Sequence, residues 1–121
     1  MQEMKEFPEQ ALLQFLVGRT VGNVVFQPYS IDFTLDDNSY LVVEHLLEYV
    51  GQHAAVERLN PQEGFGATAL HRIVSRVVTS VVREPFSLTL HFDNGHSLKV
   101  HSIPGRYESG HISGNGDYFV F

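Results

Sequence analysis

The side chains able to do chemistry are seven histidines, fourteen carboxylates and scattered serines, with no cysteine among them. Without cysteine there is no disulfide, no thiolate metal site and no thiol nucleophile. The histidines are His45, His53, His71, His91, His96, His101 and His111, and none falls into H-E-x-x-H or another ligand spacing. Ser109-Gly110-His111 sets a serine beside a histidine, but a catalytic triad is assembled by fold geometry rather than adjacency, and no G-x-S-x-G is present. Gly114-Asn115-Gly116 lacks the following helix that a phosphate-cradling loop needs and reads as a turn. Asp36-Asp37 reads as a solvated hairpin tip. No convergent acid, base and nucleophile emerge, so the expectation is a protein that is not an enzyme, with no catalytic residue, cofactor or metal.

The 121 residues, 43% hydrophobic and 18% charged, make one domain able to bury its own core. No apolar run approaches the roughly 20 residues that span a bilayer, and Met1–Glu6 is too polar for a signal peptide. These features point to a soluble, cytoplasmic protein with no membrane partner. Residues 1–60 hold three basic and nine acidic side chains, which accounts for the whole net charge of −6, while residues 61–121 are balanced. That first half lacks the basic stripe a nucleic acid requires, and it would steer a basic protein towards itself.

The sequence also matches itself without a gap at a spacing of 57 residues. Leu16–Glu44 aligns with Ile73–His101, with ten identities in 29 positions, among them Arg19/Arg76, Val24/Val81, Pro28/Pro85, Asp36/Asp93 and Leu41/Leu98. Each unit reads as a short helix followed by a three-stranded meander. Pro8 can start the first helix and Gly18 end it; Ala67–Val74, after Gly66, is the counterpart. Strands Val21–Gln27 and Val78–Arg83 stop at prolines. Tyr29, Ile31, Phe33 and Leu35 then alternate inward, as do Phe86, Leu88, Leu90 and Phe92. Facing settles the turn: a three-residue loop, Asp93-Asn94-Gly95, pairs Leu90 with Leu98 and puts Gly95 in the left-handed position, whereas a two-residue loop would set core beside solvent. Asp36-Asp37-Asn38 repeats it, with Asn38 in place of glycine.

Between the units, Gln52–Leu59 reads as a helix ending before Pro61, or Leu46–Val50 and Ala54–Leu59 read as strands about Gly51-Gln52. The C-terminus reads as a hairpin of Tyr107–Ile112 and Tyr118–Phe121. The fold class expected is α+β, with a mainly antiparallel sheet, bent or partly closed. It comprises two tandem helix–meander repeats (8–45 and 66–101), a linker (46–65) and a C-terminal hairpin (106–121).

Positions shared by both units serve the fold, so function should lie among the differences. On the outward face of the first meander stand Asp32, Tyr40, Val42 and Glu44; the second unit has Thr89, Ser97, Lys99 and His101 there. An acidic face with an exposed aromatic suits a protein partner, and the expected contacts are Asp32, Asp37, Tyr40, Glu44, Glu48 and Tyr49.

Several stretches resemble a family of small, uncharacterised bacterial proteins of unknown function: Leu16-Val17-Gly18-Arg19-Thr20-Val21, Leu41-Val42-Val43-Glu44, Leu59-Asn60-Pro61, Leu90-His91-Phe92-Asp93-Asn94-Gly95, Leu98-Lys99-Val100, and Tyr107-Glu108-Ser109 leading to Ile112-Ser113-Gly114. The resemblance implies a strand pair over Glu44–Leu59. One departure is Gly110, where the family often has a tryptophan shortly after the equivalent of Glu108. Proteins of this kind also resemble immunity proteins encoded beside polymorphic or contact-dependent toxins, which implies neutralisation of a cognate toxin by direct contact. The alternative expectation is a self-associating accessory domain that joins sheet edges, with monomer or homodimer left open.

Overall fold

Valine-rich runs that end at Pro28 and Pro85 open two meanders of one design, seen in a computed structural model that describes residues 5–64, 68–104 and 108–121. In chain order the strands are β1 (Val21–Gln27), β2 (Ser30–Leu35), β3 (Ser39–Val43), β4 (Leu47–Val50), β5 (Val56–Leu59), β6 (Val78–Glu84), β7 (Ser87–Phe92), β8 (Ser97–His101), β9 (Gly110–Gly114) and β10 (Asp117–Val120). The pairing of β1 with β2 recurs 57 residues later in β6 with β7: Val24 opposite Phe33 becomes Val81 opposite Leu90, and Phe26 opposite Ile31 becomes Arg83 opposite Leu88. Both first strands carry an irregularity one residue in, between Val21 and Asn23 and between Val78 and Ser80. In the third strands, Phe33 opposite Leu41 becomes Leu90 opposite Leu98, the register that facing demanded.

The second hairpin turns through Asp93-Asn94-Gly95: Phe92 N–H donates to the His96 carbonyl, Gly95 N–H donates to the Phe92 carbonyl, and Gly95 has φ +83°. Its counterpart holds Asn38 in the left-handed position, as expected, and adds Asp37 to it. With no glycine to take the left-handed position, both Asp37 (φ +58°) and Asn38 (φ +57°) occupy it, these being residue types whose short polar side chains tolerate that region. Tyr29 and Phe86, expected inward, are 68% and 38% exposed, because they sit in the turns ahead of Ser30 and Ser87, where the ladders begin.

Helix is scarcer than the α+β expectation. The first unit has one α-helical turn, α1 (Gln10–Leu13), running into a 3-10 turn, Gln14–Leu16, and reversing at Gly18 with φ +90°. The second has only a 3-10 turn, Leu70–Ile73, with Ser75 at φ +68° in the place of Gly18; Gly66 and Ala67 lie outside the described residues. With two five-stranded antiparallel sheets, the molecule is mainly β.

The segment after each meander is a hairpin, and each hairpin joins the other unit's sheet. After β3 the chain crosses over, so that β4 pairs with β8 (Leu47 opposite Val100) and β5 closes on β4. After β8 it crosses back, so that β9 pairs with β3 (Leu41 opposite Ile112) and β10 closes on β9 through Asn115-Gly116. Arg106 and Tyr107, expected at the start of this hairpin, lie outside the described residues. The sheet orders are thus β1-β2-β3-β9-β10 and β5-β4-β8-β7-β6.

Reciprocal hydrogen bonds join the units. Gly18 N–H donates to Val78 O and Ser75 N–H to Val21 O; Val21 N–H donates to Arg76 O and Val78 N–H to Arg19 O. Each pair is the other shifted by 57, about the isolated bridge of Thr20 with Val77, which is the self-complementary pattern of a twofold interface. Leu13, Ile31, Phe33, Leu41, Ile112, Leu47, Tyr49, Leu88, Leu98 and Val100 belong to one buried cluster fed by both sheets. The N-terminal segment covers the β6 edge: Gln10 Nε2 donates to Val81 O, Arg83 N–H donates to Gln10 Oε1, and Phe7 stacks on Phe121 at 4.4 Å.

Candidate functional site

Because strand side chains alternate, the inner residues of both sheets build the core and the outer ones form two comparable surfaces. In the first sheet one outer row crosses all five strands as Val25, Asp32, Val42, His111 and Val120, and the next runs Asn23, Thr34, Tyr40, Ser113 and Tyr118. In the second sheet the matching rows are Val82, Thr89, Lys99, Glu48 and Arg58, and Ser80, His91, Ser97, Val50 and Val56.

The two surfaces differ in chemistry. On the outer face of the second sheet charged side chains find partners: Glu48 is hydrogen-bonded to His101 Nε2 at 2.6 Å and lies 3.9 Å from Arg58, and Lys99 reaches Glu84 at 4.0 Å. In the first sheet valines stand opposite the positions of Lys99 and Arg58, two tyrosines are exposed (Tyr40 42%, Tyr118 60%), and the His111 and Tyr118 rings meet at 5.0 Å. Both faces carry three valines, so the contrast lies in the exposed tyrosines of the first, a residue type enriched in interface cores, against the charge pairs of the second, which suit a solvated face.

Acidity gathers at one margin of this face. Glu44 follows β3, its N–H donating to the Ser109 carbonyl and its own carbonyl accepting from Gln62 Nε2. Burial holds the Glu44 carboxyl above the usual carboxylate range; the nearby Glu108 and Asp32 push the same way, and His111 opposes them. Asp32 accepts from Ser30 Oγ at 2.7 Å. A cation brought here would relieve the mutual repulsion of these carboxylates.

Of the six expected contacts, the structure brings Asp32, Tyr40 and Glu44 together. Asp37 stands at the hairpin tip of the same sheet, bonded to Arg19 at 2.7 Å. Glu48 lies on the other sheet, in the ion-pair row. Tyr49 is corrected outright: at 1% exposure it belongs to the core, its hydroxyl hydrogen-bonded to His96 Nδ1. It points inward because β4 adds to β8 with Tyr49 opposite the inward Leu98. The residues missed are His111, Tyr118 and Val120. Their signal was the C-terminal hairpin itself, which completes the first sheet just as the 47–59 hairpin completes the second. Among the described residues no three of His, Asp and Glu stand where they could share a metal ion, and no helix is long and apolar enough to cross a membrane.

Residues 12–121 match a family of unknown function (DUF6188), and the chain belongs to it. No curated protein and no solved structure matches the chain.

Proposed function

We propose that this DUF6188 member is a non-enzymatic protein-binding module that takes its partner on the outer face of the first sheet. More narrowly, we read it as a bacterial immunity protein that acts in the cytoplasm and neutralises a cognate toxin by direct contact. The contrast between the two outer faces carries the binding reading: units whose interiors follow one pattern have diverged into a face whose charges pair among themselves and a face with two exposed tyrosines and with valines in place of Lys99 and Arg58. On this reading the units are two copies of one segment, and the second copy marks what the fold alone needs. The toxin supports itself on the motif resemblance and on the acidity of residues 1–60, which would speed encounter with a basic partner and cover its cleft.

The test is binding of the toxin-like product of the neighbouring reading frame. Asp32→Lys with Glu44→Lys should slow association at low salt by about tenfold or more, and Tyr40→Ala with Tyr118→Ala should speed dissociation by about tenfold per lost anchor. Unchanged rates and undiminished protection of toxin-exposed cells would refute the reading. A stable dimer in sedimentation, abolished by the same tyrosine substitutions and indifferent to any toxin, would favour the self-associating alternative instead.

A further inference from the structure

The two units differ at one more place, where the helical turn meets the tip of the meander's hairpin. In the first unit the arginine at this spot is paired. Arg19 Nη1 lies 2.7 Å from Asp37 Oδ2, its Nε donates to the Phe15 carbonyl, Phe15 packs against the core and Ser39 is buried. Fifty-seven residues on, Phe15, Arg19, Asp37 and Ser39 have become Arg72, Arg76, Asn94 and His96, and these four line a cavity of about 380 Å³. The carboxylate that neutralised the arginine is gone, and a second guanidinium replaces the aromatic ring. Among the described residues neither Arg72 nor Arg76 forms an ion pair. In a chain of net charge −6, the same place in the fold thus changes from an ion pair to two guanidiniums side by side.

The remaining groups are held in place. Asn94 Oδ1 accepts from His96 N–H at 3.0 Å and its Nδ2 donates to the Arg72 carbonyl at 3.4 Å, which ties the hairpin tip to the arginine's own turn. His96 is 9% exposed and its Nδ1 is bonded to the Tyr49 hydroxyl. Burial raises the Tyr49 phenol above its usual range, with Arg72 opposing and Glu57 adding. The Tyr49 bond fixes the His96 ring at the cavity wall beside the two guanidinium groups.

We propose that Arg72, Arg76, Asn94 and His96 form a binding site for the phosphoryl group of a small phosphorylated molecule. Two planar guanidiniums beside the His96 ring suit the three terminal oxygens and double charge of a phosphomonoester better than the single charge of a carboxylate. A single phosphate does not fill the cavity, whose volume is in the range of small-molecule sites, so an organic remainder has room. This site lies away from the outer face of the first sheet and stands or falls separately from the protein-binding reading.

Titration of the intact protein with inorganic phosphate, followed by amide and imidazole chemical shifts, tests the proposal, with acetate at matched ionic strength as the comparison. Saturable phosphate binding centred on Asn94 and His96, with acetate weaker, is the expected result. Arg72→Gln and Arg76→Gln should each weaken it by about tenfold, and Arg58→Gln, on the outer face of the second sheet, should leave it unchanged. Both site arginines are exposed, so thermal unfolding without phosphate should match the parent, while the stabilisation phosphate confers on the parent should vanish in the double variant. No saturation, equal binding of acetate, or undiminished binding by the double variant would overturn the assignment. Glycerol phosphate should bind at least as well as inorganic phosphate; tighter binding of a phosphoserine peptide than of glycerol phosphate would overturn the assignment to a small molecule.

Discussion

Gly110→Ala is the sharpest test of the crossed hairpins. Gly110 is the β9 residue opposite Val43 in β3, and its N–H and C=O both bond the backbone of Phe121. A Cβ added there would lie 2.1 Å from the Val42 carbonyl oxygen and 2.6 Å from Phe121 Cζ. Ordinary contact needs roughly 3.2 Å or more, so β9 must retreat from β3 by more than about 1 Å or Phe121 must leave its stack on Phe7. Either way ladder hydrogen bonds and buried ring contacts are lost together, at a cost of about 3 kcal/mol, the upper end for overpacking. Against a total stability of roughly 5–15 kcal/mol, that is a loss of about 10 °C in Tm for a chain of this length. Calorimetry or denaturant titration would measure it, with Gly22→Ala as the control. The added methyl at Gly22 would stand 3.5 Å from the Thr34 carbonyl and should cost less than about 1 kcal/mol. If Gly110→Ala unfolds within about 0.5 kcal/mol of the parent, Val42 does not face Gly110, and the C-terminal hairpin does not complete the first sheet.

Two further expectations concern charge and connectivity. Because burial raises the Glu44 carboxyl in the folded state, the folded protein holds that proton more tightly than the unfolded chain, so this group's contribution is favourable at low pH and is lost as pH rises from 4.5 through the raised value. Glu44→Gln should therefore raise Tm at pH 7, with the gain shrinking below pH 4.5; a lower Tm at pH 7 would refute the reasoning. Separately expressed fragments 1–64 and 65–121 should not yield cooperatively unfolding monomers, since β3 and β8 each take their second neighbour from the other fragment. Mixing the fragments should restore one sharp transition, and a monomeric 1–64 with its own cooperative transition by circular dichroism would contradict the crossed arrangement.

The local layer of this fold was legible from residue types alone. Prolines at 28 and 85 end the first strands, alternation fixes which residues of β2 and β7 face inward, and the left-handed need at Gly95 picks the three-residue loop. Alternation failed only at Tyr29 and Phe86, which precede their ladders, and a short apolar run could not by itself exclude a helix over Gln52–Leu59. The candidate face was half legible. Asp32, Tyr40, Val42 and Glu44 follow from facing within one meander, whereas His111, Tyr118 and Val120 arrive from the far end of the chain.

By itself the sequence determined the period of 57, the register within each meander and the acidity of the first half, because these depend on neighbours in the chain and on the twofold alternation of a strand. Only the tertiary structure decided that each hairpin crosses to the other sheet, that Tyr49 is interior, and that a cavity lies beside Arg72 and Arg76 where the twin spot holds Phe15 and the Arg19–Asp37 pair. A strand's inward and outward faces are set locally, but the sheet it extends is chosen by which exposed edge, its own unit's or the other's, the returning chain can reach while burying that inward face.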